Sequence, residues 1–107
     1  MAEFIKSEET FKELISSDAP VIIKFEADWC PDCKRMDYFM PDVESQFDHL
    51  PIHTIDKDEF PEIASNHDVM GIPSLLVFKN NEKLAHLHSA NAKTPEEVTT
   101  FLKQNFN

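Results

Sequence analysis

The chain carries two cysteines, two residues apart, in the stretch Phe25-Glu26-Ala27-Asp28-Trp29-Cys30-Pro31-Asp32-Cys33-Lys34. Two thiols at this spacing can close into a disulfide and reopen. The chemistry on offer is thiol–disulfide exchange, in which a thiolate attacks a substrate sulfur and a second thiol releases the mixed disulfide. Val21, Ile22, Ile23 and Phe25 are β-branched or aromatic and read as a buried strand leading to the pair. The residues after Cys33 suit a helix. With Cys30 as N-cap, Pro31 takes the first helical position, where its missing N–H costs nothing. The unpaired N–H groups and partial positive charge of a helix N-terminus favour a thiolate over a thiol. Cys30 is therefore the expected nucleophile. Cys33, one turn on, is the expected resolving thiol, within reach of a disulfide. A zinc site would need two further ligands. His49, His53, His67, His86 and His88 show no metal-ligand spacing, so no metal is expected and the histidines read as surface residues.

The elements that hold the pair follow from pattern. Phe4-Ile5-Lys6 is a short candidate strand. Ser7 caps a helix with Glu8 and Glu9 in its first turn and Phe11, Leu14 and Ile15 on one face. Asp18-Ala19-Pro20 ends it, and a strand over 21–27 delivers the cysteines. The next helix keeps an apolar stripe of Met36, Phe39, Met40, Val43 and Phe47, but Pro41 lies inside it and should kink it or split it in two. Ile52 to Ile55 is a strand, Pro61 opens a short helix to about Asn66, and Ser74 to Lys79 is a strand. Asn80-Asn81 turns tightly into a returning strand over 83–88, since Asn tolerates φ > 0. Thr94-Pro95-Glu96-Glu97 opens a last helix with a capping box, and Val98, Phe101 and Leu102 form its buried face. The order implies a mixed α/β sheet with helices on both faces.

Trp29-Cys30-Pro31-Asp32-Cys33-Lys34 resembles the W-C-G-P-C-K active site of thioredoxins. Gly71-Ile72-Pro73-Ser74-Leu75-Leu76-Val77-Phe78-Lys79-Asn80 is similar to that family's G-I-P-T-L-L-L-F-K-N segment. The two motifs stand in the family's order and spacing, and the similarity extends over essentially the whole chain. The resemblance implies a thioredoxin fold, with a central mixed five-stranded sheet, in a single domain covering 1–107. It implies a thiol–disulfide oxidoreductase that reduces protein disulfides, with no bound cofactor beyond the redox-active disulfide Cys30–Cys33. The implied partners are disulfide-containing proteins and an electron donor, either a flavin- and NADPH-dependent thioredoxin reductase or a low-molecular-weight thiol. Pro73 should be cis, and the main chain of Ile72 should hydrogen-bond an extended substrate segment. With these, Trp29, Pro31 and Asp32 make up the expected substrate surface. The alternative is a non-catalytic binding module or redox sensor on the same fold.

Three departures from the family stand out. Lys24 replaces an aspartate buried below the resolving thiol; it pairs with Glu26 or snorkels to water, or else tunes Cys33 as a charge beneath it. Tyr38 replaces the helix proline, which moves to Pro41 and should carry the bend outward. Gly71 is the only glycine, and the loop near Ser89-Ala90 has lost the family's own. Asp32 and Asp28 should repel a thiolate at Cys30 while Lys34 and Arg35 oppose them, which places the Cys30 pKa modestly below a free thiol and favours reduction as the direction.

At 107 residues the chain suffices for one domain with a real core, to which nine Phe contribute. A formal charge of −10 disfavours nucleic acid and anionic membranes as partners. Residues 1–18 show no signal-peptide pattern and no apolar run approaches a membrane span. A cytoplasmic monomer is the expectation, because the two cysteines form a C-x-x-C rather than a secreted disulfide scaffold.

Overall fold

A computed structural model describes residues 3–106. In chain order its elements are β1 (Glu3–Phe4), α1 (Glu8–Ile15), β2 (Val21–Glu26), α2 (Pro31–Glu44), β3 (Ile52–Asp56), α3 (Pro61–Asn66), β4 (Ser74–Lys79), β5 (Glu82–Leu87), a 3₁₀ turn (Ser89–Asn91) and α4 (Pro95–Asn105). The five strands form one sheet in the order β1-β3-β2-β4-β5. β1, β3 and β2 run parallel, while β4 is antiparallel to β2 and β5 to β4. The first strand is shorter than the sequence suggests, but Ile5 continues it by donating its N–H to the Thr54 carbonyl at 2.7 Å.

β2 is the middle strand, and all six of its residues are buried. Its alternation feeds two cores. Ile22 packs with Met36, Met40 and Val43 of α2 and Val98 and Leu102 of α4. Val21, Ile23 and Phe25 pack on the opposite face with Phe11 and Ile15 of α1 and Ile63 and Ala64 of α3. Both layers therefore bear on the strand that ends at the cysteines, and burial of each large apolar side chain stabilises it by about 1.5–3 kcal/mol.

The caps read from sequence are formed. The Ser7 hydroxyl accepts from the Thr10 N–H at 3.1 Å. Thr94 and Glu97 exchange their capping-box bonds at 3.2 and 3.1 Å. Asn80 and Asn81 turn the hairpin with φ of 52° and 67°. Their N–H groups also donate to Ser17 and Ile15 carbonyls at 2.8 Å each, which ties the hairpin to the end of α1.

Of the two outcomes expected at Pro41, the split does not occur: the helix runs from Pro31 to Glu44 as one element. Met36, Phe39, Met40 and Val43 are buried on both sides of the proline, so sheet packing holds the helix across the lost donor. The Pro41 carbonyl still accepts the Ser45 N–H at 3.0 Å.

The histidines differ from the surface reading as well. His49 and His88 are exposed, but His53, His67 and His86 are half-buried. The His67 ring lies 5.4 Å from Phe11 and 5.1 Å from Phe78. His86 stacks on His88 at 3.7 Å; burial, then the neighbouring His88 and Lys83 charges, lower its pKa to about 4, so it is neutral at pH 7. Among the described residues no group of three or more His, Cys, Asp or Glu is placed to hold a metal ion, and no helix is long and apolar enough to cross a membrane.

Candidate active site

The site forms where β2 ends and α2 begins. Cys30 is the N-cap of α2, in extended conformation, with Pro31 in the first turn. Its Sγ accepts the Cys33 N–H at 3.1 Å, so one orphan donor of the helix end points at this sulfur. Cys30 and Cys33 are joined as a disulfide with their Cα atoms 5.2 Å apart.

Cys30 lies at the end of the strand as read from sequence, but its side chain is not open to solvent: Cys30 is 3% exposed and Cys33 1%. The Ile72 carbonyl oxygen stands 3.8 Å from Cys30 Sγ, at the cis Ile72–Pro73 peptide, and the chain there closes over the sulfur. Cys30 still reaches a shallow groove of about 270 Å³ whose walls include Trp29 and Pro31 on one side and Met70, Gly71 and Ile72 on the other.

The lips of this groove are built by loops. Trp29 is 66% exposed, and its indole N–H donates to Asp58 Oδ2 at 2.7 Å. Asp58 is itself placed by a turn after β3, in which Asp56 Oδ1 accepts from the Asp58 and Glu59 N–H groups at 2.8 and 3.2 Å. Across the groove, a Cβ on Gly71 would collide with the Ser89 hydroxyl. Glycine lets the loop after β5 approach the Ile72–Pro73 segment with the Ser89 hydroxyl in place; a larger residue would require that side chain to turn away. Ser74 donates its hydroxyl to the Gly71 carbonyl at 2.7 Å and holds the same segment from below.

The charges differ from the sequence reading in which cations oppose Asp32: Arg35 does, as read, but the second is Lys93 rather than Lys34. Lys93, from the loop before α4, places Nζ 2.7 Å from Asp32 Oδ2, and Arg35 places Nη1 3.1 Å from Oδ1. The Lys93 hydrogen bond and charge, with a smaller contribution from Arg35, hold the Asp32 carboxyl below the usual carboxylate range. Lys34 turns the other way and donates to the Asp28 carbonyl at 2.6 Å.

Lys24 is 3% exposed, on the face of β2 that α2 covers. Its Nζ lies 2.8 Å from Glu26 Oε1 and also pairs with Asp37 of α2, one turn beyond Cys33. The three side chains border a cavity of about 280 Å³ lined also by Phe4, Met40 and Thr54. A larger cavity, of about 470 Å³, lies between Phe47 and Phe106 and contains no cysteine.

Three residues at the site were not singled out from sequence: Lys93, Asp37 and Asp58. Lys93 is 61 residues from Asp32. The capping box at Thr94 fixed its place in the chain but carried no signal that this loop folds onto α2. Asp37 carries a helical-period signal, four residues after Cys33, that a buried Lys24 could have flagged.

Comparison with known proteins bears directly on this geometry. The family model described as Thioredoxin matches residues 3–104. Thioredoxin 1 of Nostoc is 31% identical over 90 residues, which cover 82% of this chain and 84% of that protein. Thioredoxin M3 of rice, described as chloroplastic, is 30% identical over 79% of this chain, which spans 47% of it. A crystal structure of thioredoxin from Trypanosoma brucei brucei superposes with a TM-score of 0.83 at 25% identity, covering 97% of this chain and 89% of that one. A cysteine pair at a helix N-terminus, preceded by a tryptophan and set within such a sheet, therefore has its relatives in full: the chain belongs to the thioredoxin family, the thiol–disulfide oxidoreductases of disulfide-reductase type that work through a C-x-x-C redox pair, here Cys30 and Cys33.

Proposed function

We propose that the two cysteines divide the reaction as follows. The Cys30 thiolate attacks one sulfur of a substrate disulfide; a mixed disulfide forms and the other substrate sulfur leaves as a thiolate. Cys33 gives up its proton and attacks Cys30 Sγ, the substrate's second thiolate leaves, and the pair has supplied two electrons and become the Cys30–Cys33 disulfide. Protein disulfides are the substrates and a reductase restores the dithiol, as the family implies. A thioredoxin reductase drawing on NADPH, or a low-molecular-weight thiol, is the proposed donor. The setting we propose is a monomeric single domain over 1–107 acting in the cytoplasm, away from nucleic acid and membrane, for which the C-x-x-C usage and the charge of −10 are the support.

The groove beside Cys30 carries the assignment of the binding surface. An extended substrate segment lies between Trp29 and the Ile72–Pro73 strand entry and places its sulfur against Cys30, while Pro31 and Asp32 meet the flanking residues. Lys24 acts below this surface, as a buried cation on the face that bears Cys33, favouring the resolving thiolate. Trp29→Ala removes an exposed aromatic anchor, worth about 1–2 kcal/mol in such contacts. The expected result is a fall of about tenfold in kcat/KM for reduction of a protein disulfide, with alkylation of Cys30 by a small reagent changed less than about twofold. An unchanged kcat/KM would remove Trp29 from the binding surface.

A further inference from the structure

Asp32 poses an electrostatic problem: a carboxylate between two redox cysteines opposes the thiolate on which the reaction depends. Its partner is Lys93, which arrives from the far end of the sequence. Lys93 is not held there by chance of rotamer alone. Its backbone N–H donates to Glu97 Oε1 at 3.0 Å, the same oxygen that receives the Thr94 N–H of the α4 capping box. The start of α4 therefore aims Nζ at the first turn of α2. We infer that Lys93 is a tuning residue of the redox pair: it neutralises Asp32 and so sets the thiolate fraction, and hence the attack rate, of Cys30. The inference rests on the assignment of Cys30 as nucleophile.

The other charged groups about Cys30 differ in their partners. On its own helix, Arg35 shares Asp32 and Lys34 is bound to the Asp28 carbonyl. From the turn after β3, Asp58 receives the Trp29 indole and Lys57 lines the groove wall. Asp28, at the end of β2, is exposed. Lys93 and Asp32 are about two-fifths exposed, and exposed ion pairs contribute little to folding stability. The consequence of this pair is therefore sought at the sulfur rather than in the melting temperature.

The experiment follows the rate of iodoacetamide alkylation of the reduced protein against pH, read on the Cys30 peptide by mass spectrometry, in wild type, Lys93→Met, Asp32→Asn and the double variant. Lys93→Met leaves Asp32 with Arg35 alone and should raise the Cys30 pKa by about half to one unit, a three- to tenfold loss of thiolate near neutral pH. Asp32→Asn should lower it by a similar amount. The double variant should return to within about 0.3 of wild type, because one charge of each sign has gone. Lys93→Arg should retain the wild-type profile. If the pair served only to fasten the loop, both single variants would break the same bridge and move the Cys30 pKa in the same direction or not at all; either result overturns the inference. Faster labelling of Cys33 than Cys30 in wild type would instead contradict the assignment of the nucleophile, and the Cys30 shifts would still be read from their own peptide.

Discussion

Cys33→Ser should turn the protein from a catalyst into a trap. Serine fills the same buried position with almost no change in volume, but its hydroxyl does not displace a thiolate near neutral pH. Attack by Cys30 proceeds, the mixed disulfide accumulates, and turnover of a protein disulfide should fall by about 10³ or more. Cys30→Ser should lose turnover to the same extent and form no adduct, because the sulfur left does not line the groove that Cys30 lines. Mass spectrometry under non-reducing conditions reads both results as substrate joined to the one remaining cysteine. Adducts on Cys33 in Cys30→Ser, or turnover surviving in Cys33→Ser, would contradict the division of roles. A trap that captures many substrates fits a general reductase.

The second large effect is on stability. Lys24→Met removes the cation between two carboxylates and leaves Glu26, whose side chain is 11% exposed, without its partner. Breaking a buried pair from one side is far more damaging than replacing both members. Asp37 is about half exposed and recovers water, so the loss should be about 2–4 kcal/mol rather than more. Lys24→Met with Glu26→Gln should recover most of it. Urea unfolding of the oxidised protein measures both, through the shift in midpoint at constant slope. Single-turnover release of substrate from the Cys30 mixed disulfide, measured on folded Lys24→Met without denaturant, tests the proposed chemical role: it should be about three- to tenfold slower than wild type, since the cation that favours the Cys33 thiolate is gone while both carboxylates remain. The double variant has lost one charge of each sign and should recover most of that rate; folded Lys24→Met that resolves at the wild-type rate would confine Lys24 to structure.

Lys24 also illustrates how far the sequence could be read. Strand alternation placed it on the same face as Ile22 and Glu26, and both neighbours proved to matter: Ile22 packs under α2 and Glu26 holds the ammonium. What alternation could not supply was Asp37, since that contact depends on how α2 lies across the sheet. The same limit applies at the other end of the site. The capping box, the tight Asn80-Asn81 turn and the N-cap at Cys30 are local patterns, in which a few neighbouring residues decide the conformation. Lys93 on Asp32 and Asp58 on Trp29 are long-range contacts made from loops, fixed only once both cores have closed. Pro41 does not split its helix for a related reason. Propensity alone allows a break, but four buried side chains around it outweigh the cost of an interior proline, about 3 kcal/mol. The burial of Cys30 escaped notice because it is imposed by the Ile72–Pro73 segment, more than forty residues away.

The central claim is that the Cys30–Cys33 pair works as a reductant. A helix N-terminus stabilises the Cys30 thiolate, the Asp32 charge that would oppose it is balanced by Lys93 and Arg35, and Lys57 lines the wall of the groove. Such an environment is moderate, and a moderately stabilised thiolate belongs to a reducing couple. Equilibration of the pair against a defined thiol–disulfide buffer measures this directly. The expected reduction potential is near −270 mV, as for thioredoxin, where each 30 mV is roughly a factor of ten in the exchange equilibrium. A value above about −180 mV would mean that the Pro31-Asp32 dipeptide has made the pair an oxidant or isomerase, and the assignment as a reductant would be wrong.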